Sequence, residues 1–202
     1  MLTLAQALSE ARDLGGPLER MDFDHVSLEG EDLSELEFEK VCFRNCRFQS
    51  CGFGNAAFYD CVFQDCQFAG CSMTVTFWKG SSLLRCKMDG TDFRRARFKA
   101  CTLASSLLRY TNCADSLWER TTITDCRFTE ASLASSRIKG AAFHQVDFTG
   151  ADLFRTSWKD IDLSSCTIDH VSLSQTCAEL KGAKINAAQA AVVARILGIE
   201  VI

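Results

Sequence analysis

The chain has 202 residues, 47% of them hydrophobic, and a formal net charge of −4 at pH 7. That apolar content excludes a disordered chain and is enough for one continuous core, while no apolar run is long enough to cross a bilayer. Residues 1–40 hold eleven acids against three bases and residues 41–202 hold fifteen against nineteen, which excludes a uniformly acidic surface.

The first predicted element is a short helix. Thr3 followed by Gln6 has capping-box spacing, Leu4, Leu8 and Ala11 share a face, and Gly15-Gly16-Pro17 stops the run. Residues 1–20 are therefore expected to be an N-terminal capping helix and turn. No basic stretch precedes an apolar run here, so the expected location is the cytoplasm.

From residue 21 to 177 the pattern changes to a period of five. Every fifth residue from Phe23 to Leu173 is apolar, thirty-one in succession, with Phe43, Phe63, Trp78, Phe98, Trp118, Phe128, Phe148 and Trp158 among them as predicted core. Two residues before each lies a second series, mostly small or β-branched, such as Cys46, Cys61, Cys66, Thr76, Cys86 and Ala96. The other three positions are mostly polar. A period of five fits neither a helix nor an alternating strand, so each unit must contain a turn. Four units then close a square coil of about twenty residues, and coils stack at roughly 4.8 Å.

Columns follow from the twenty-residue coil. Cys46, Cys66 and Cys86 stack, and most of the twelve cysteines recur at this small inward position, which predicts a ladder of reduced thiols. Phe38, Phe58, Trp78, Phe98, Trp118, Ile138 and Trp158 form another column, expected to be an inward aromatic ladder.

Residues 178–202 are expected to cover the open end of the last coil. Asn186 and Gln189 open a helix ended by Gly198, with an apolar tail from Ile199 to Ile202. The helix is apolar on more than one face, so one face can cap the rod while Val192, Val193, Ile196, Leu197, Ile199 and Val201 meet a second copy in an isologous dimer.

No chemistry-bearing cluster emerges. His25, His144 and His170 fall at outward positions in different columns, and there is no CxxC pair, phosphate-binding loop or nucleophile elbow. The chain is read as a non-enzyme without metal, cofactor or small-molecule substrate. Between residues 81 and 120, however, eight bases face four acids, and Arg94, Arg95, Arg97, Lys99 and Arg109 are the candidate partner surface.

The quintets, such as ADLFR at 151–155 and TDFRR at 91–95, resemble the pentapeptide-repeat family over about residues 21–177. The resemblance implies an all-β solenoid, a right-handed quadrilateral parallel β-helix, here of about eight coils and roughly 35–40 Å long. Within the family, CKMDGTDFRRARF (86–98), AAFHQVDFTGADL (141–153) and ELKGAKINAAQAAVVARILGIEVI (179–202) resemble quinolone-resistance proteins of the Qnr type. That implies a homodimer that binds DNA gyrase and topoisomerase IV, usually described as imitating DNA, and protects them from quinolones. Direct binding of nucleic acid is not expected. The basic zone departs from a DNA mimic, and an unbroken register from 23 to 173 leaves no room for the loops this type commonly carries. The alternative is a pentapeptide-repeat scaffold with an unrelated protein partner.

Overall fold

One left-handed residue per unit produces the period of five. In a computed structural model, which describes residues 3–202, nearly every residue two places after a core position has positive φ: His25 at 55°, Asn45 at 52°, Asn55 at 58° and Asp65 at 55°, with glycine at 30, 70, 80 and 90. This conformation turns the chain at each corner. Glycine, Asn and Asp occupy it at low cost, whereas other side chains lose about 1–2 kcal/mol there.

Between corners run segments of three residues whose middle side chain points inward. The first side of the coil is a seven-stranded parallel sheet that begins with Leu18–Glu19 and ends with Arg137–Lys139; the second is a seven-stranded parallel sheet from Asp22–Asp24 to Ala142–His144. The third begins with three strands, Ser27–Glu29, Arg47–Gln49 and Gln67–Ala69, and continues as single bridges through Lys87, Leu107, Arg127, Asp147 and Thr167. The fourth consists only of bridges, from Asp32↔Gly52 to Asp152↔Ser172. Partners stand twenty residues apart throughout, as in Trp78↔Phe98 and Phe98↔Trp118.

The fold is thus a four-sided parallel β-solenoid, as expected, but with fewer regular coils. Its strands make about six turns rather than eight, because the last units fold as tight turns that keep a single bridged residue each. The first strand comes earlier than expected, since Leu18–Glu19 already pair with Phe38–Glu39 inside the stretch read as cap and turn. Met1 and Leu2, which belong to that stretch, lie outside the described residues.

The core runs along the axis. The eight predicted core residues are buried, and the first-side rings stack in sequence: Phe38 on Phe58 at 5.0 Å, Phe58 on Trp78 at 3.9 Å, Trp78 on Phe98 at 5.9 Å and Phe98 on Trp118 at 4.3 Å. Ile138 interrupts the ladder before Trp158. At the small positions, thiols and hydroxyls donate to carbonyls of the preceding coil, Cys66 Sγ to Phe43 O at 3.4 Å and Ser81 Oγ to Phe58 O at 3.1 Å. All twelve cysteines are free thiols.

Both ends are covered. Helix α1 (Leu4–Leu14) has the Thr3/Gln6 capping box, closes at Gly15 with φ 69°, and buries Leu4, Ala7, Leu8 and Ala11. Helix α2 (Ala187–Ile196) has an equivalent box between Asn186 and Gln189. Gln189 does more than its spacing predicts: it is buried, and its Nε2 donates to the carbonyls of Leu163 at 2.7 Å and Cys166 at 2.6 Å. Asn186 Nδ2 donates to Ser164 O at 2.8 Å. Two amides therefore satisfy edge carbonyls that would otherwise invite another strand.

Candidate interaction surface

Because the inward positions are filled, the surface open to a partner consists of the three outward residues of each unit and the segments that cover the two ends. Register places those residues in straight rows. On the first side, Phe77, Arg97, Leu117 and Arg137 form one row, and Tyr59, Lys79, Lys99, Glu119 and Lys139 form the other. With the corner residue Arg120 and with Lys159 one coil further on, this side carries seven cations from Lys79 onward against Glu119 and Asp160.

The N-terminal part of the same side is acidic, with Glu19, Glu37, Glu39 and Asp60. Glu39 is paired with Lys40 at 2.6 Å. Where the sign changes, Tyr59 and Phe77 meet edge to face at 5.8 Å, both half-buried.

The predicted partner surface is divided by this geometry. Arg97 and Lys99 belong to the first side. Arg95, at the corner of the fourth, lies next to them, and Arg94 on the fourth side is held by Asp92 at 2.7 Å. Arg109 is on the third side, across the coil, where Asp89 holds it through two nitrogens. Arg109 is thus separated from the other four, since cations adjacent in the chain alternate among sides. The sequence signal for the true grouping is charge at twenty-residue spacing: Lys79, Lys99, Lys139 and Lys159.

Ion pairing differs between sides. On the second side the Arg85 guanidinium meets Asp65 at 2.7 Å and holds its carboxyl below the ordinary range. On the first side Glu119 serves both Arg120 at 2.9 Å and Lys99 at 3.8 Å, and among the described residues no ion pair engages Lys79, Arg97, Arg137, Lys139 or Lys159.

The C-terminal segment presents an apolar surface, though not all the expected residues contribute. Val193 and Ile196, expected at a dimer interface, pack against the rod's own core. Val192 is half-buried, while Leu197, Ile199 and Val201 are exposed together with Ile202. The helix turns Val193 and Ile196 toward the last coil because Gln189, one and two turns earlier, is anchored there.

His25, His144 and His170 are exposed, and no group of three potential metal ligands occurs among the described residues. No helix there is long and apolar enough to cross a membrane.

A family model for pentapeptide repeats matches residues 61–99 and 119–150, in eight copies. Over those residues the chain carries pentapeptide repeats. No curated protein matches it. Among solved structures, one trypsin-treated form of QnrB1, a plasmid-mediated fluoroquinolone resistance protein, is 20% identical with a TM-score of 0.57, covering 93% of this chain and 100% of that one. A second trypsin-treated QnrB1 is 21% identical with a TM-score of 0.49, covering 90% and 99%. HetL, a pentapeptide repeat protein involved in heterocyst differentiation regulation from the cyanobacterium Nostoc sp. strain PCC 7120, is 12% identical with a TM-score of 0.36, covering 92% and 98%. The likeness to QnrB1 is one of fold.

Proposed function

We propose that this pentapeptide-repeat protein is a cytoplasmic, non-catalytic rod that binds a type II topoisomerase, DNA gyrase or topoisomerase IV, as a homodimer and protects it from quinolones. The observation that carries the reading is the C-terminal ending. Its helix closes the solenoid through Gln189, yet the chain continues into exposed Leu197, Ile199, Val201 and Ile202, more apolar surface than a cap requires. A second copy related by a twofold axis would bury this strip against its equivalent. QnrB1, which shares the fold, is a plasmid-mediated fluoroquinolone resistance protein.

Gyrase supercoiling with ciprofloxacin, titrated with purified protein, tests the reading. Restored supercoiling is expected, and no effect on gyrase or topoisomerase IV would remove it. Sedimentation tests the dimer separately: Leu197→Glu is expected to sediment as a monomer with an intact rod, and a dimeric variant would exclude this interface.

The basic first side favours a second reading, a repeat scaffold for an unrelated partner, because a rod bearing cations along one side is a poor imitation of DNA. Failure of both topoisomerase assays with retained dimerisation would select it.

A further inference from the structure

We propose that the first side of the rod is a binding site for single-stranded nucleic acid, with phosphates along the cations from Lys79 to Lys159 and bases against Phe77 and Tyr59. This goes beyond the topoisomerase reading and does not depend on it.

Three observations lead there. First, like charges are held in register: Lys79 stacks directly on Lys99, and Arg97 and Arg137 share the neighbouring row with Leu117 between them. Like charges directly opposite on adjacent strands repel. Such a row is relieved by an extended polyanion, which gains from every cation it meets. The rows stand about 7 Å apart across the side, and from Lys79 to Lys159 four coil steps extend about 19 Å, the reach of a short run of nucleotides.

Second, the cations are available. Five of the seven have no ion pair among the described residues; elsewhere on the rod Arg85, Arg94 and Arg109 are held by carboxylates, while Arg47, Lys87 and Arg127 are also without an ion pair there but stand in a third-side row that holds no aromatic ring. Counterions condensed on a nucleic acid would be released by contact with these five, and that release drives binding.

Third, two aromatic rings stand where the basic rows begin. Phe77 and Tyr59 are half-buried at outward positions of a sheet whose other rings point inward, and Tyr59 lies beside Lys79 in the same row. Rings next to a basic track are what unstacked bases use, and base stacking on aromatic side chains is tolerant of sequence. A duplex keeps its bases stacked on each other, and an acidic peptide offers a ring only where its sequence happens to hold one, whereas every nucleotide of a single strand brings both a phosphate and a planar base, so a single strand is the occupant that fits both features. The acids Glu37, Glu39 and Asp60 beyond the rings close the track at its N-terminal end.

The test is fluorescence anisotropy with a labelled oligothymidylate of about 15 nucleotides, near the upper site size of a single-strand binding module. Binding is expected to weaken with salt, with a slope of log K on log salt between about −2 and −4. Lys79→Glu with Lys139→Glu is expected to weaken binding at least about tenfold and to flatten the slope, while Lys87→Glu on the third side leaves both unchanged. Phe77→Ala is expected to weaken binding about tenfold with the salt slope intact. Circular dichroism checks that each variant keeps its fold.

Absence of binding at about 100 μM in low salt would overturn the proposal. So would a duplex bound as tightly with Phe77→Ala indifferent, or polyglutamate bound as tightly as the oligonucleotide, which would assign the side to an acidic protein.

Discussion

Trp118 donates its indole N–H to the hydroxyl of Ser116, two residues before it, at 2.7 Å, and Trp78 stands in the same relation to Thr76 at 2.9 Å. Trp158 breaks the pattern. Its equivalent partner, Thr156, instead accepts from the Ser136 amide at 2.8 Å and donates to Leu133 O at 2.5 Å, leaving a buried indole N–H with no partner among the described residues. Removing a bonded donor costs its hydrogen bond, whereas removing an orphaned one relieves a desolvation penalty. Trp118→Phe is therefore expected to lower stability by roughly 1–3 kcal/mol more than Trp158→Phe. Equal losses in urea denaturation would show that ring volume alone decides.

Val75 occupies a corner with φ 61° and is 44% exposed. A β-branched side chain is poorly suited to that conformation, and the outward position gives it little burial in return. Val75→Asn is expected to raise stability by about 1 kcal/mol, read as a higher denaturation midpoint with an unchanged m-value. A lower midpoint would mean that the valine's surface contacts outweigh the strain.

Glu179 is buried beneath the last coil. Desolvation pushes its carboxyl up, but the amides of Arg155 and Ser174 and the Ser174 hydroxyl, at 3.0, 3.2 and 2.7 Å, outweigh it and hold the group below its ordinary value of 4.5. A depressed carboxyl stabilises the fold above its unfolded pKa, and the contribution is lost as pH falls through the folded value. The difference in Tm between wild type and Glu179→Gln is expected to be greatest at neutral pH and to close below about pH 4.5. A difference that persists in acid would assign Glu179 a packing role.

Burial pushes the thiols of Cys61, Cys101 and Cys126 up to about 11 and that of Cys113 up to about 12. Only Cys42 is less than fully buried, and its thiol is raised too. A thiol reagent at neutral pH is expected to modify Cys42 slowly and the other cysteines only in denaturant, since the thiolate is the reactive form. Rapid reaction of several thiols would show that coils open under native conditions.

The core was legible because its signal is repeated and local: a large apolar residue at each fifth position cannot point anywhere but inward once Trp78, Phe98 and Trp118 share a column. The corners were less so. Gly30, Asn45, Asn55, Asp65 and Gly70 do carry the left-handed preference, but Val75, Arg85 and Ala100 take the same φ against theirs, because hydrogen bonds to the next coil impose it. The candidate surface was legible only in part. Arg97 and Arg109 are twelve residues apart and appear as neighbours in a charge count, yet they stand on opposite sides. Gln189 is legible as a residue that opens the last helix, but its second task is not, since nothing in its neighbourhood announces that carbonyls twenty-odd residues earlier await a donor.

The twenty-residue register also makes the surface a matter of arithmetic. Duplicating one coil would lengthen the rod by about 4.8 Å and leave each side facing as before. An insertion of five would keep every large apolar residue inward while moving all that follow into the next column, a quarter of the circumference round, so cations beyond the insertion would continue a different side. Any other small insertion would drive polar residues into the axis. Length and facing can therefore change by whole units at little cost to the core, and a surface such as the basic side can be extended, cut short or handed to a neighbouring side without building a new fold.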